Sequence, residues 1–356
     1  MYAKKLLLKL CATFVATFIF LSACGGGQEL HFTAFNNVPV IVQSRGKTIS
    51  SAAEEKINAL LDELNAEFSA TVKTSTVYKI NSMAQGEKTE ISPRFKYIAD
   101  VLAEMRAFTE GKFDISVYPL TLLWQFAPNF PVLKFSVPTQ EEIDDALSLC
   151  GLDKFSFNEY AEKSVDGAKI DFGGALKGYA ADEIAQILKE DGATRGYVNV
   201  GGSSLNLLSV DNVAIVHPRK SGNILSVKIN EKNVAVSTSG DYERYYVSDG
   251  KTYSHILNPD TGYPTNTGVV SATVIGKNGL ILDALSTALC LFSHDFNCPE
   301  KCELYRFIKK ILSAPEFCDF KIFAVCDDGE NKQILTNKKQ GDFALLDNDY
   351  SVIYID

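Results

Sequence analysis

The chain is 356 residues long, 46% of them hydrophobic, and carries a net charge of −9. That length can bury a full core, as one large domain or as two lobes. The acidic balance argues against a nucleic-acid binder, which needs a basic face.

The N-terminus reads as an export signal. Lys4, Lys5 and Lys9 precede or interrupt an apolar run that reaches Leu21, too short for a comfortable membrane span. The run ends in "LSAC" followed by three glycines, which resembles the bacterial lipobox, where Cys24 is lipidated and becomes the first residue. An ordinary signal peptide with a chance cysteine is the alternative. The expected organisation is a lipoprotein signal over 1–23, a tether over 24–34 and the main folded domain over 35–356. The protein is then exported and lipid-anchored at the extracytoplasmic face of a bacterial membrane. No later apolar run approaches about 18 residues, so nothing else in the chain is expected to span a membrane.

Past the tether, "VPVIVQS" (38–44) is strand-like. Residues 51–69 repeat Ile57, Leu60, Leu61, Leu64 and Phe68 at helical spacing. Residues 92–111 predict a second amphipathic helix, with Ser92 as N-cap, Pro93 in the first turn and Gly111 as stop. Residues 111–126, which hold the only tryptophan, read as extended and then looped. A capped helix is expected over 139–151. "KIDFGGALKGYAADEIAQIL" (169–188) is a short apolar run, a glycine pair and a helix. Strands are expected near 195–208, 225–240 and 268–276, with a hairpin over 242–257 turning at Asp249-Gly250. A polar loop (258–264) and an apolar helix (280–292) complete this part. Helices dominate the first half and strands the second. This pattern predicts an α+β fold with mixed or antiparallel sheets and flanking helices.

Besides Cys11 and Cys24 there are six cysteines: Cys150, Cys290, Cys298, Cys302, Cys318 and Cys326. "CPEKC" (298–302) lacks a matching pair at zinc spacing, so a local disulfide is the expectation in an exported chain.

Four stretches can carry chemistry. Asp283 and Thr287 lie four apart on an apolar helix and so share a face. Two oxygen groups there suit a hard cation such as Mg²⁺, or simply satisfy local backbone groups. His255, at a strand end before "NPDTGYP", can serve as a general base or as a hydrogen-bonded structural histidine. "STSGDYERYY" (237–246) can hold a phosphate on backbone amides, or is an ordinary strand-to-turn signal. Gly173-Gly174 ahead of a helix, with Lys177 in its first turn, suits an anion. Neither the P-loop nor the dinucleotide fingerprint is present.

Taken in order, "SPRFKYIADVLAEMRAFTEGKFDISVYPLTLLW", "DFGGALKGYAADEI", "YVNVGGS", "STSGDYERYYVSDGKTYSHILNPDTGYP" and "DALSTAL" resemble the ApbE family from about Phe35 to Cys290. These are FAD-dependent FMN transferases, often exported and lipid-anchored. The resemblance implies that FAD is bound with Mg²⁺ and its pyrophosphate split. AMP leaves, and FMN is joined to a Thr or Ser hydroxyl of an acceptor protein. It also implies roles by position. Asp283, Thr287 and the backbone of Gly174 correspond to metal ligands. Lys177, Asp171, Phe113, Asp114, Ile256 and Phe35 correspond to flavin-nucleotide contacts, with Ser239-Gly240 where the flavin passes the backbone. His255 corresponds to the base toward the acceptor hydroxyl, with Lys177 and Asp283 beside it in the chemistry.

Two places depart from the family pattern. The N-terminal signature reads "FNN" (35–37), and Thr71 stands where an aromatic residue often packs on the cofactor. The second bears on how tightly FAD is held and on the balance between transfer and hydrolysis. FAD pyrophosphatase and non-catalytic flavin-binding lipoprotein are therefore the rival readings. Residues 293–341, with their cysteines, are unlike the family core, and "DGAT" (191–194), a faint likeness of a flavin-acceptor sequence, reads as a turn.

Overall fold

The computed structural model describes residues 27–128 and 135–356. The expected signal peptide and Cys24 lie outside the described residues. The elements run β1 (Gly27–Ala34), β2 (Val38–Arg45), α1 (Ser51–Phe68), α2 (Thr76–Ser82), β3 (Lys88–Glu90), α3 (Pro93–Phe108), α4 (Tyr118–Leu123) and α5 (Gln140–Ser148). Next come β4 (Phe155–Phe157), β5 (Tyr160–Lys163), α6 (Leu176–Glu190), β6 (Gly196–Val200), β7 (Ser204–Ser209), β8 (Asn212–Val216), β9 (Asn223–Lys228) and β10 (Val234–Gly240). The chain closes with β11 (Tyr245–Ser248), β12 (Lys251–Ser254), β13 (Val269–Gly276), α7 (Gly279–Leu289), α8 (Glu303–Ser313), β14 (Lys321–Asp327), β15 (Lys332–Thr336), β16 (Phe343–Leu345) and β17 (Ser351–Tyr354).

One nine-stranded sheet, in the order β1-β2-β6-β7-β10-β13-β14-β15-β17, organises the molecule. Its neighbours are antiparallel except for the parallel β15–β17 pair. Alternation along each strand divides the apolar residues between the two faces. Ala235, Ile322 and Ala324 join the core beneath the helices, while Val234, Val236, Phe323 and Val325 join the core beneath the small sheet β16-β9-β8. The two lobes thus share one sheet. The result is the α+β, largely antiparallel architecture that the pattern of elements implies.

The helices begin where their caps place them. Ser50, Ser75 and Ser92 accept hydrogen bonds from the third residue beyond, and Thr139 with Glu142 forms a capping box. α6 is different. It starts after Ala175 with no side-chain cap, and its Gly178 N–H is instead satisfied by a carboxylate from α7.

Three expectations need correction. From Gly27 onward the chain is no tether: β1 pairs with β2 along its whole length. Leu30, Phe32 and Ala34 alternate onto the core, and that burial fixes the strand. The stretch after Gly111 is not wholly extended, because Tyr118–Leu123 forms α4 with Pro119 in its first turn. Trp124 then anchors it, fully buried and donating from Nε1 to the Gly262 carbonyl at 2.8 Å. All six described cysteines are free thiols. Cys302 is buried and accepts from the Tyr305 N–H at the start of α8, whereas Cys298 faces solvent, so "CPEKC" does not close a bridge. The region 293–341, unlike the family core in sequence, still packs into this molecule: α8 packs inward through Leu304, Phe307, Ile308 and Ile311, and β14 sits between β13 and β15.

"DGAT" is structural. Asp191 caps α6, and its carboxylate accepts the backbone N–H and the hydroxyl of Ser50 at 3.1 and 2.6 Å.

Candidate active site

The first turns of α6 and α7 cross without side chains between them. A Cβ on Gly178 would lie 2.1 Å from the Gly279 carbonyl oxygen, and one on Gly279 would lie 2.4 Å from that of Gly178. Only glycine permits this approach at both positions. The crossing brings Asp283, one turn into α7, against the start of α6. Its Oδ2 accepts the Gly178 N–H at 2.8 Å. Its Oδ1 accepts the hydroxyls of Ser204 at 2.8 Å and Ser237 at 2.5 Å. Asp283 therefore does not serve local backbone; it joins α6, β7 and β10. Ser239 reaches Thr287 at 3.1 Å and Ser286 at 2.9 Å, which orients the Thr287 hydroxyl.

A cavity of about 740 Å³ opens beside this crossing. Phe35, Thr71, Phe113, Asp114, Asp171, Gly174, Lys177, Ser239, His255, Ile256, Asp283 and Thr287 all line it. Of the residues singled out in the sequence, Gly240 is the exception. The space a side chain would take there is filled by the Tyr242 ring, 2.3 Å from a built Cβ, so this glycine accommodates Tyr242. The cavity also contains Ser237 and Arg244, from the flagged stretch 237–246, and two residues the sequence does not single out, Lys112 and Ser204.

Asp114 sits at the wall with both carboxylate oxygens engaged, Oδ2 by Arg106 and Oδ1 by the Ser116 N–H and hydroxyl. It braces the 109–116 segment and presents the Phe113 ring, which lies 3.3 Å from a built Cβ at Gly174. Thr71 leaves the aromatic place empty of a ring, and its hydroxyl donates to Asn36 Oδ1 at 3.0 Å. Phe35, Asn36 and Asn37 take φ of 45°, 62° and 71°, three consecutive left-handed residues without a glycine. Such strain is held by its surroundings, here the β1–β2 pairing and the Thr71 contact.

The electrostatics follow from burial. Desolvation raises the Asp283 carboxyl above its ordinary range, opposed by Lys177 and by its three donors. Asp171 is likewise raised by burial and opposed by the Gly173 N–H, Arg244 and Lys177. His255 is pushed well below the ordinary histidine value, first by burial and then by Arg244 and Lys177. Its Nδ1 is buried without a partner, which leaves Nε2 as the nitrogen a bound group can meet. Lys177 makes no ion pair or hydrogen bond among the described residues, so its charge is available to an anion.

The depressed His255 pKa has a consequence for stability. As pH falls below 6.5, the unfolded chain takes up the proton and the folded one resists it. The contribution of neutral His255 is complete above that value and is lost as pH drops toward the folded-state pKa. Melting temperatures measured from pH 8 to 5 are expected to fall less steeply for His255→Gln than for the native chain. Parallel curves would show that His255 does not titrate in this way.

Near the crossing the cavity is lined by oxygen-bearing residues: Asp283, Thr287, Ser204, Ser237, Ser239 and the side-chain-free Gly174. This set fits a hard divalent cation and offers nothing to a thiophilic one. With one carboxylate, such a cation would complete its shell from water and from the ligand's own oxygens. Apolar walls, a strip of cations and an oxygen-rich corner suit a ligand that is aromatic in part and anionic in part.

Fold and cavity together describe an α+β protein with a cavity beside a helix–helix crossing. The ApbE family model matches residues 30–297. The chain belongs to the ApbE family. It is 32% identical over 263 residues to the FAD:protein FMN transferase of Escherichia coli K12, covering 71% of this chain and 73% of that one. It is 30% identical over 260 residues to the Vibrio cholerae FAD:protein FMN transferase, covering 71% and 77%. The ApbE protein of Thermotoga maritima superposes with a TM-score of 0.71 at 30% identity, covering 85% of this chain and 94% of that structure.

Proposed function

We propose that this chain is a Mg²⁺-dependent FAD:protein FMN transferase. The observation that carries the reading is the convergence of Asp283, Thr287, Gly174, Lys177 and His255 on one cavity. The flavin and adenine moieties of FAD occupy the apolar walls, with Lys177 and Arg244 against the pyrophosphate. Asp283, Thr287 and Gly174 would hold Mg²⁺, which would supply charge neutralisation at the phosphates. The acceptor's Thr or Ser oxygen bonds to the phosphorus of the FMN half. The bond from that phosphorus to the bridging oxygen breaks, and AMP leaves with the oxygen. The hydroxyl proton passes to Nε2 of His255. A ring kept neutral is ready to accept it, and the pyrophosphate's negative charge would offset the two cations that depress its pKa. No nucleophile is needed from this chain, since the attacking oxygen arrives on the acceptor.

The test is incubation of the purified protein with FAD, Mg²⁺ and a threonine-bearing acceptor domain, followed by mass spectrometry. A flavin-mass adduct and stoichiometric AMP are expected. Intact FAD and unmodified acceptor would exclude the reading. Thr71 in place of a stacking ring favours a second reading, hydrolysis of FAD to FMN and AMP. That reaction gives AMP without an adduct.

The signal-like N-terminus supports export and anchoring through Cys24. Labelled fatty acid should enter the native chain in a bacterial host and not the Cys24→Ala variant. Equal labelling would remove the anchor from this account.

A further inference from the structure

β11 and β12 form a two-stranded ribbon that pairs with no other strand among the described residues. Its turn is Asp249-Gly250, at φ of 49° and 77°, a two-residue turn that fixes the pairing of Ser248 with Lys251. Antiparallel pairs alternate in kind, so Tyr246–Tyr253 also exchange backbone hydrogen bonds. The His255 N–H donating to the Arg244 carbonyl at 3.0 Å continues that phase. The N–H and C=O groups of Tyr245 and Val247 therefore point away from β12, along an open edge. No described residue bonds to them. Tyr245 is 45% exposed and Val247 62% exposed.

The ribbon is held rigidly from its other face. The Tyr246 ring stacks on Phe135 at 4.2 Å and on Phe126 at 5.0 Å, and its hydroxyl donates to the Gln125 carbonyl at 2.8 Å. The Arg244 guanidinium donates to the Phe126 carbonyl at 3.0 Å. The open edge is thus pre-ordered, which lowers the entropic cost of adding a strand. It also runs straight out of the cavity wall. Glu243, Arg244 and His255 line the cavity, and β11 begins at the next residue after Arg244.

We propose that the acceptor protein docks by adding an extended segment to the free edge of β11. The inference rests on the transferase reading and specifies how the second substrate is presented. Main-chain bonds to Tyr245 and Val247 hold the segment, while its alternate small or apolar side chains lie on those two exposed residues. A strand advances about 3.4 Å per residue. Two or three residues beyond Tyr245, the segment reaches the mouth of the cavity at Arg244 and His255. There its hydroxyl meets the base. Recognition mainly through backbone explains how one site can take a hydroxyl from a folded partner without a deep pocket for it.

The experiment compares the full-length native protein with Val247→Pro, which removes an outward N–H, and with Val247→Lys, which places a charge on the edge and leaves the backbone intact. The probe is the threonine-bearing acceptor domain. Both variants are expected to raise the acceptor KM about tenfold or more, with FAD binding, followed by flavin fluorescence, unchanged. Thr252→Pro, on the opposite edge, is expected to leave the acceptor KM unchanged. Native-like acceptor KM in both Val247 variants overturns the docking edge alone, as does an equal effect of Thr252→Pro. Absence of transfer by the native protein overturns the transferase reading and the docking with it.

Discussion

Asp283→Ala is expected to lower both flavin transfer and AMP release by roughly a thousandfold, the scale of removing a main electrostatic contact at a reacting phosphate. The carboxylate is the one full negative charge in the oxygen corner beside Thr287, and it also fixes the α6 start through Gly178. Removing it leaves the Gly178 N–H and the Ser204 and Ser237 hydroxyls without their acceptor. Each such loss costs about 1–3 kcal/mol in a buried setting, partly offset by deleting a carboxylate that burial destabilises. Asp283→Asn separates the two effects, since its amide oxygen can keep part of the network without the charge. The expected pattern is loss of product in both variants, with a smaller fall in melting temperature for asparagine. Transfer at the native rate by either variant would falsify the role given to Asp283. FAD binding measured without Mg²⁺ is expected to survive, which separates loss of chemistry from loss of the cavity.

Gly178→Ala should damage both the fold and the site through a single added methyl. The added carbon would lie 2.1 Å from the Gly279 carbonyl oxygen, 2.4 Å from its carbon and 3.0 Å from the Asp283 carboxyl carbon. Two of these are backbone atoms, so no rotamer change relieves them. α6 and α7 must separate, and the Gly178–Asp283 hydrogen bond lengthens with them. Overpacking of this kind costs about 1–3 kcal/mol where side chains can adjust. Here the cost should exceed that range, and thermal unfolding should begin several degrees lower. Transfer activity measured well below the new midpoint should be depressed as well, because the displaced carboxylate is the one facing Thr287. A control at Gly86, whose built Cβ meets nothing within 4 Å but whose φ is +80°, isolates backbone strain from collision. If Gly178→Ala matches that control in melting temperature, the crossing is looser than the geometry requires.

Much of this was legible in the sequence, and the reasons for the remainder are specific. The order of motifs placed twelve of the singled-out residues around one cavity, because short runs such as "DALSTAL" and "DFGGALKGYAADEI" each carry a whole local geometry. What joins them was hidden. Ser204 and Ser237 reach Asp283 from strands 79 and 46 residues away in sequence, and no local pattern encodes that distance. The Gly178–Gly279 contact was invisible for the same reason; each glycine alone is unremarked in a helix start. β1 was read as a tether because glycines precede it, yet Leu30, Phe32 and Ala34 already alternated. α4 escaped because a proline near a tryptophan resembles a loop until Pro119 is recognised as a helix opener. The cysteines misled through compartment: export permits disulfides, while burial of Cys290, Cys302 and Cys326 shows these thiols serving as small apolar fillers.

The position of β14 bears on how the gene can be cut. The family match stops at residue 297, a natural place to end a shortened protein. Such a chain would lose α8 and the partner of β13, whose residues Val269–Ile275 are all buried. β13 would become a bare, flat, hydrophobic edge, and on the opposite face Val234, Val236 and Ile275 would lose the Phe323 and Val325 side chains that cover them. Exposed edges of that composition pair with one another. A truncation drawn from the matched span would therefore be expected to collect in inclusion bodies, however complete its catalytic residues. A shortened chain that keeps β13 covered has to run on at least through β14.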